Sequence, residues 1–293
     1  MSQATALDPA DRRRRAAPAR RRWFRFALAA ALLWPAALHG QSAELVAAYR
    51  RSVNMYDQGR YAEALPPAAT ALRLGEEEFG PDHPVVADVL DHLAELHRTE
   101  SRYAEAEPLL MRSLAIRTKA LGANHLEVAT SLDNLGNLYE SEGRYGDAEP
   151  LYLRALTIRE AALGANHPDL AASLDNLAGF HHARGRHAEA GSLLERAIAI
   201  RETVLGPDDP LLATSLVMLA KLRLDQGRTA DAEALYERTL AIWEAAFGPG
   251  HPFLAANLEA YATLLREAGR SGEAAPLEAR AAAIRAKRKG GTP

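Results

Sequence analysis

Thr130 to Ala171 reads TSLDNLGNLYESEGRYGDAEPLYLRALTIREAALGANHPDLA, and this stretch of 42 residues decides the fold. Leu132, Leu135, Gly136 and Tyr139 recur at i, i+3, i+4 and i+7, the spacing of one apolar stripe on a helix. Gly143 breaks that helix and Arg144 sits in the turn. A second helix follows, with Ala148, Leu151, Tyr152, Ala155 and Leu156 again at helical spacing. Gly164 supplies its C-terminal cap, where a left-handed backbone costs least without a Cβ. Pro168 opens the next helix at a position whose N–H has no partner in any case. Pro108 and Pro150 are expected near the first turn of second helices, where a missing donor matters least.

The same pattern returns every 42 residues, in segments 46–87, 88–129, 130–171, 172–213, 214–255 and 256–289. Arg recurs at 60, 102, 144, 186, 228 and 270, preceded by Gly except where Ser101 replaces it. Ala recurs at 64, 106, 148, 190, 232 and 274, and Gly at 80, 122, 164, 206, 248 and 290. Small Ala columns let neighbouring helices approach closely. An acidic column, Glu63, Glu105, Asp147, Glu189, Asp231 and Glu273, stands at i+3 from the arginines, where it complements a helix N-terminus.

The words LDNLGNLY at 132–139 and LGANHP at 163–168 resemble the tetratricopeptide repeat (TPR) family, in its 42-residue, kinesin-light-chain-like branch. Leu132, Leu135, Gly136, Tyr139, Ala148, Tyr152 and Ala155 meet that family's pattern, with Leu in place of its Trp. The resemblance covers residue 46 to about 289. It implies an all-α fold, a right-handed superhelical solenoid of about six antiparallel helix pairs. First helices would line a concave groove and second helices the outer wall. Arg51, Ser52 and Glu278 depart from the pattern at the two ends and are expected as water-facing caps.

Composition agrees with close-packed helices. Hydrophobic residues make up 48% of 293, charged residues 25% and aromatics 6%, with Ala and Leu prominent. Eight arginines against Asp8 and Asp11 leave residues 1–40 at +6, so the remainder carries −9 of the total −3. That acidic remainder argues against nucleic acid as a partner. The head itself reads as an export signal: the arginines, then the apolar run Phe26 to Leu38, then small and polar residues. Its 13 residues would span roughly 20 Å of helix, against a hydrocarbon core of roughly 30 Å, so no stable membrane span is expected. The chain is thus expected to be exported, to a periplasm or beyond, if residues 1–40 are a signal, and cytoplasmic or membrane-anchored otherwise. Residues 41–289 form the solenoid and 290–293 a short tail.

Little here can carry chemistry. No cysteine is present, which removes disulfides, thiolate metal sites and cysteine nucleophiles. His83, His125, His167 and His251 share one column, but packed helices stand roughly 8–10 Å apart and metal ligands about 2 Å from one ion. They read as polar residues at helix starts. No phosphate loop, nucleophile elbow or His-Glu-x-x-His motif occurs, so no enzyme, metal or cofactor is expected.

The groove is the functional candidate. Opposite the apolar stripe the first helices carry Asp91, His92, Glu95 and Arg98, then Asp133, Asn134, Asn137 and Glu140. The next copies add Asp175, Asn176, Gly179 and His182, then Lys221 and Glu259. Asn can both donate and accept, so it can hold the backbone of an extended peptide from a partner protein. Carboxylate-clamp members of the family use Lys and Asn here, whereas this face offers acids and Lys221 alone, which favours basic peptides. Two functions follow: a non-catalytic scaffold binding peptide segments in the groove, or an accessory subunit of a cell-envelope or export machine. The second would act through the outer surface or the basic stretch Arg285 to Lys289.

If the head is cleaved, N-terminal sequencing of the native protein should begin near Gln41 or Glu44, and intact mass should show the loss of Trp23 and Trp34. A full-length native chain would refute the signal.

Overall fold

Every first helix begins behind a side chain that accepts a backbone hydrogen. The structure, a computed structural model, describes residues 42–290, so the expected export segment lies outside the described residues. Ser42 Oγ takes the Leu45 N–H at 3.2 Å ahead of α1 (Ala43–Asp57). His83, His125 and His167 do the same through Nδ1, each at 3.2 Å from the N–H two residues on, and open α3 (Pro84–Thr99), α5 (Leu126–Glu142) and α7 (Pro168–Ala183). Asp209 Oδ1 caps α9 (Pro210–Asp225) at 2.8 Å, and His251 Nδ1 caps α11 (Pro252–Glu267) at 3.4 Å. An accepting Nδ1 requires the neutral ring with its proton on Nε2. The histidine column is a row of N-caps.

Second helices start differently. α2 (Tyr61–Phe79), α6 (Tyr145–Leu163), α8 (His187–Leu205) and α10 (Thr229–Phe247) have no side-chain cap. The turn arginine instead pairs with the acid three residues on: Arg60 with Glu63, Arg144 with Asp147, Arg186 with Glu189 and Arg228 with Asp231. Arg270 pairs with Glu273 at the start of α12 (Ser271–Gly290). Arg186 also reaches Glu149 at 2.5 Å and Arg270 reaches Glu233 at 2.7 Å, so these two turns each tie their pair to the one before. Pro108, in α4 (Tyr103–Leu121), and Pro150, in α6, fall in the second turn rather than the first. Both are exposed, so water rather than buried backbone takes over the carbonyl that each leaves unbonded.

The loop glycine at 164 has φ 83° and ψ 163°. It is positive in φ as expected, but extended in ψ rather than left-handed helical, a conformation essentially reserved for glycine. In the pair-internal turns, Ser101 holds φ 61° where the other copies have glycine.

The chain divides into two compact units, one ending at Ala120 and one beginning at Leu121. In the first, α1 packs on α2 and α2 on α3. In the second, α5–α6, α7–α8, α9–α10 and α11–α12 form antiparallel pairs, and each second helix packs against the following first helix. First helices α7 and α9 also touch directly. Among the described residues there is no strand. The Ala column lies at these contacts, with Ala64, Ala106, Ala148, Ala190 and Ala232 at 0% exposure and Ala274 at 1%. Gly136 is required by contact: a Cβ there would stand 2.9 Å from the Tyr152 ring.

The ends depart from the expected water-facing caps in one respect. Arg51 is exposed, but Ser52 is fully buried. Its hydroxyl donates to the Ala64 carbonyl at 2.8 Å, so the His92 Nε2–H at 2.8 Å is the donor to Ser52. Glu278, at the other end, is half-buried and pairs with Arg266 at 3.2 Å.

Ala148→Glu should place an unpaired charge in a fully buried helix contact and lower stability by several kcal/mol, about the cost of a severe core mutation. Asp169→Ala, with its side chain 76% exposed, should change little. Urea denaturation of both variants beside the wild type measures the difference.

Candidate functional site: the first-helix face

The face opposite the apolar stripe is not uniformly open. Asp91, His92, Asp133, Asn134 and Asp175, expected on the groove face, are buried. Their burial has one cause for the three aspartates. Each reaches an arginine of the second helix in its own pair, 26 residues on. Arg117 Nη1 donates to Asp91 at 2.6 Å and its Nη2 to Asp88 at 2.5 Å. Arg159 Nη1 donates to Asp133 at 2.6 Å and to Ser173 Oγ, on the next first helix, at 2.6 Å. Arg201 Nη1 donates to Asp175 at 2.5 Å and also meets Ser215 Oγ; that hydroxyl donates to Asp175 at 2.7 Å.

Each complete rung therefore joins three helices: both members of a pair and the first helix of the next pair. Burial pushes the Asp133 and Asp175 carboxyls above their ordinary range, against the pull of Arg159 and Arg201. These three carboxylates are consumed inside the protein and do not face a ligand. His92 is likewise internal, tilted against the Tyr49 ring 5.2 Å away, and burial lowers its pKa to about 4.

The rung changes chemistry along the chain. Where the fifth copy would carry Asp and Arg it has Val217 and Trp243, and Asn257 stands where Ser173 and Ser215 stand in earlier copies. Trp243 Nε1 donates to the Pro210 carbonyl at 3.2 Å, and Asn257 Nδ2 donates to the Tyr236 carbonyl at 3.2 Å. At the C-terminal end Arg285 reaches Glu259 at 2.5 Å in an exposed setting. The arginine column 117, 159 and 201 is the signal that sequence reasoning passed over: it rises and falls with the aspartates, and both vanish together in copy five.

What remains accessible is smaller and less acidic. In the N-terminal unit, Glu95 and Arg98 are half-buried and bonded to each other at 2.6 and 2.7 Å, with Tyr56 Oη donating to Glu95 at 3.0 Å. In the C-terminal unit, Asn137, Glu140 and Asn176 are half-buried and Lys221 is exposed. Tyr152 Oη lies 2.8 Å from Asn137 Oδ1 and 2.9 Å from Glu140 Oε2, so its one proton is shared between the two acceptors. With its carbonyl end so engaged, Asn137 keeps its NH2 as a donor. The Asn176 side chain makes no hydrogen bond among the described residues. His182 bonds Asp225 at 2.5 Å across α7 and α9.

Among the described residues no group of three or more His, Asp or Glu is arranged to hold a metal ion. His182 and His187 have rings 5.6 Å apart, but His182 is committed to Asp225, and His181 is buried 3.5 Å from Glu189. No helix among the described residues is long and apolar enough to cross a membrane.

The sequence profile of the tetratricopeptide repeat matches residues 44–119, 88–161, 134–179, 169–244 and 218–287, spanning both units. The chain belongs to the tetratricopeptide repeat family. TPR proteins as a class bind other proteins, and this fold supports an interaction scaffold. The structure is similar to the nearly identical TPR-like repeats of a Podospora anserina kinesin light chain, at 25% identity and TM-score 0.57, covering 69% of this chain and 96% of that one. It is similar in fold to BtubC (BKLC) from P. vanneervenii, at 22% identity and TM-score 0.63, covering 80% and 92%. Pseudomonas aeruginosa PilF shares the fold at 19% identity and TM-score 0.52, covering 86% and 95%. No curated protein sequence matches the chain.

Breaking one rung should cost far more than replacing it. Arg201→Met leaves Asp175 buried without its counter-charge and should lower stability by about 3–5 kcal/mol. The triple variant D175V/R201M/S215A, which removes the buried hydroxyl together with the ion pair, should return to or exceed the wild-type urea midpoint. A triple variant no better than the single would show that the rung contributes more than charge balance.

Proposed function

We propose that this TPR protein is a non-catalytic scaffold that holds extended segments of partner proteins along its first-helix face. The observation that carries the reading is the pair Asn137 and Asn176, on the first helices of successive repeats. Asn137 has its carbonyl end engaged by Tyr152, and the Asn176 side chain has no partner among the described residues. Side-chain amides with donors to spare can bond a peptide backbone whatever its side chains. Each such bond contributes about 0.5–1.5 kcal/mol, so several must act together. The expected preference for basic peptides loses its basis in the C-terminal unit, because Arg159 and Arg201 neutralise Asp133 and Asp175. Recognition through amides is sequence-tolerant; of the accessible charges on this face Glu140 and Lys221 oppose each other in sign, and Glu259 is offset by Arg285.

The second reading is an accessory subunit of a cell-envelope or export machine, placed there by a cleaved head and acting through its outer wall. It draws on exposed apolar side chains of second helices, Leu153 at 46% and Val204 at 47%. The basic stretch contributes less to it, since Arg285 is tied to Glu259.

Crosslinking in the native compartment followed by pull-down identifies partners, and two variants separate the readings. Asn137→Ala with Asn176→Ala should weaken the recovered partner about tenfold or more in binding, at an unchanged thermal midpoint. Leu153→Glu should leave it unaffected. A partner that ignores the asparagines and is lost with Leu153→Glu would move recognition to the outer wall.

A further inference from the structure

Among 35 basic residues only four are lysines: Lys119, Lys221, Lys287 and Lys289. Lys287 and Lys289 lie beyond the side chains that are described. Lys119 is exposed and bonded to Asp82 at 2.6 Å. Lys221 differs in every respect. It projects from α9 on the first-helix face, is exposed, and has no ion-pair partner among the described residues. Within one turn on its own helix stand Val217, Met218 and Leu224, all half-buried apolar side chains. Asp225, the carboxylate at i+4, is taken by His182 at 2.5 Å. In the same register on the flanking first helices are Gly179 and Thr263, neither of which carries charge.

An ammonium flanked by apolar side chains and given no counter-charge is stabilised less than an ion-paired one, so its proton is held less tightly. The desolvation by surrounding protein lowers the Lys221 pKa, whereas the hydrogen bond and charge of Asp82 raise that of Lys119. The neutral amine is the nucleophile, and only it can attack a carbonyl.

We propose that Lys221 is a modification site, the nucleophilic amine of this protein, acylated by activated acyl donors of the thioester or acyl-phosphate class. The Nζ lone pair attacks the acyl carbonyl carbon, a C–N bond forms, and the C–S or C–O bond breaks. The thiolate or phosphate leaves with that electron pair, and the amine gives its surplus proton to water. The product is an amide at Lys221. An acyl chain so attached would lie along Val217, Met218 and Leu224, and the first-helix face of the C-terminal unit would lose its unpaired cation. The inference is independent of peptide binding.

Limiting acetyl phosphate, applied to the full chain from neutral to alkaline pH and followed by peptide mass spectrometry, gives the rate at each lysine. Lys221 should react several-fold faster than Lys119, with its rate–pH curve displaced to lower pH, and the two rates should converge in denaturant. Val217→Glu, which sets a carboxylate one turn from Lys221, should slow the fast site towards the Lys119 rate, and Lys221→Arg should abolish it. A native-state rate at Lys221 equal to or below that at Lys119, or a curve at the same pH as that of Lys119, would overturn the proposal.

Discussion

A buried arginine that needs both a counter-charge and a hydroxyl partner governs this architecture. Arg201 is 1% exposed, and its position is tolerable only because Asp175 supplies the charge and Ser215 of the next pair closes the network. Charge burial of this kind contributes little net stability, since desolvation offsets most of the attraction. Geometry is what it contributes. A guanidinium with fixed donor directions accepts one arrangement of three helices, so each rung sets the register between one pair and the next. Apolar contacts alone, Ala against Leu and Leu against Leu, would tolerate sliding.

The repeat itself was fully legible in the sequence. Period 42, the buried Ala column, the helix-start histidines and the turn arginines with their i+3 acids all follow from local spacing. They are local events, fixed within one turn of helix or one loop. The buried aspartates were not legible by the same means. Periodicity assigns Asp133 to the side opposite Leu132 and Leu135, but a first helix in a solenoid is covered on two flanks as well as behind. Whether a polar residue on such a flank meets water depends on a partner 26 residues away, which no helical wheel contains. Comparing copies would have found it, because Val217 and Trp243 replace both members at once.

The accessible face is correspondingly leaner than the sequence suggests. Five of its expected side chains are structural, and those left to meet a ligand in the C-terminal unit are the amides of Asn137 and Asn176 with Glu140, Lys221 and the Arg285-paired Glu259. Tyr152 illustrates how the two roles interlock. Its ring occupies the space that Gly136 leaves free, and its hydroxyl shares one proton between Asn137 and Glu140 from behind. The same second-helix residue that packs the pair also bonds the side chains offered to a partner.

The succession of polar and apolar rungs also constrains how such an array can gain or lose units over generations. A duplicated copy of residues 130–171 placed beside its parent would bring its own Ser131 to the parental Asp133 and Arg159, and offer its own aspartate and arginine to Ser173. Every junction would be chemically satisfied. A duplicate of 214–255 would instead set the Ser215 hydroxyl against Val217 and Trp243, at a seam built for Asn257. Recombination can therefore lengthen this protein silently through its middle, while its C-terminal seam resists insertion.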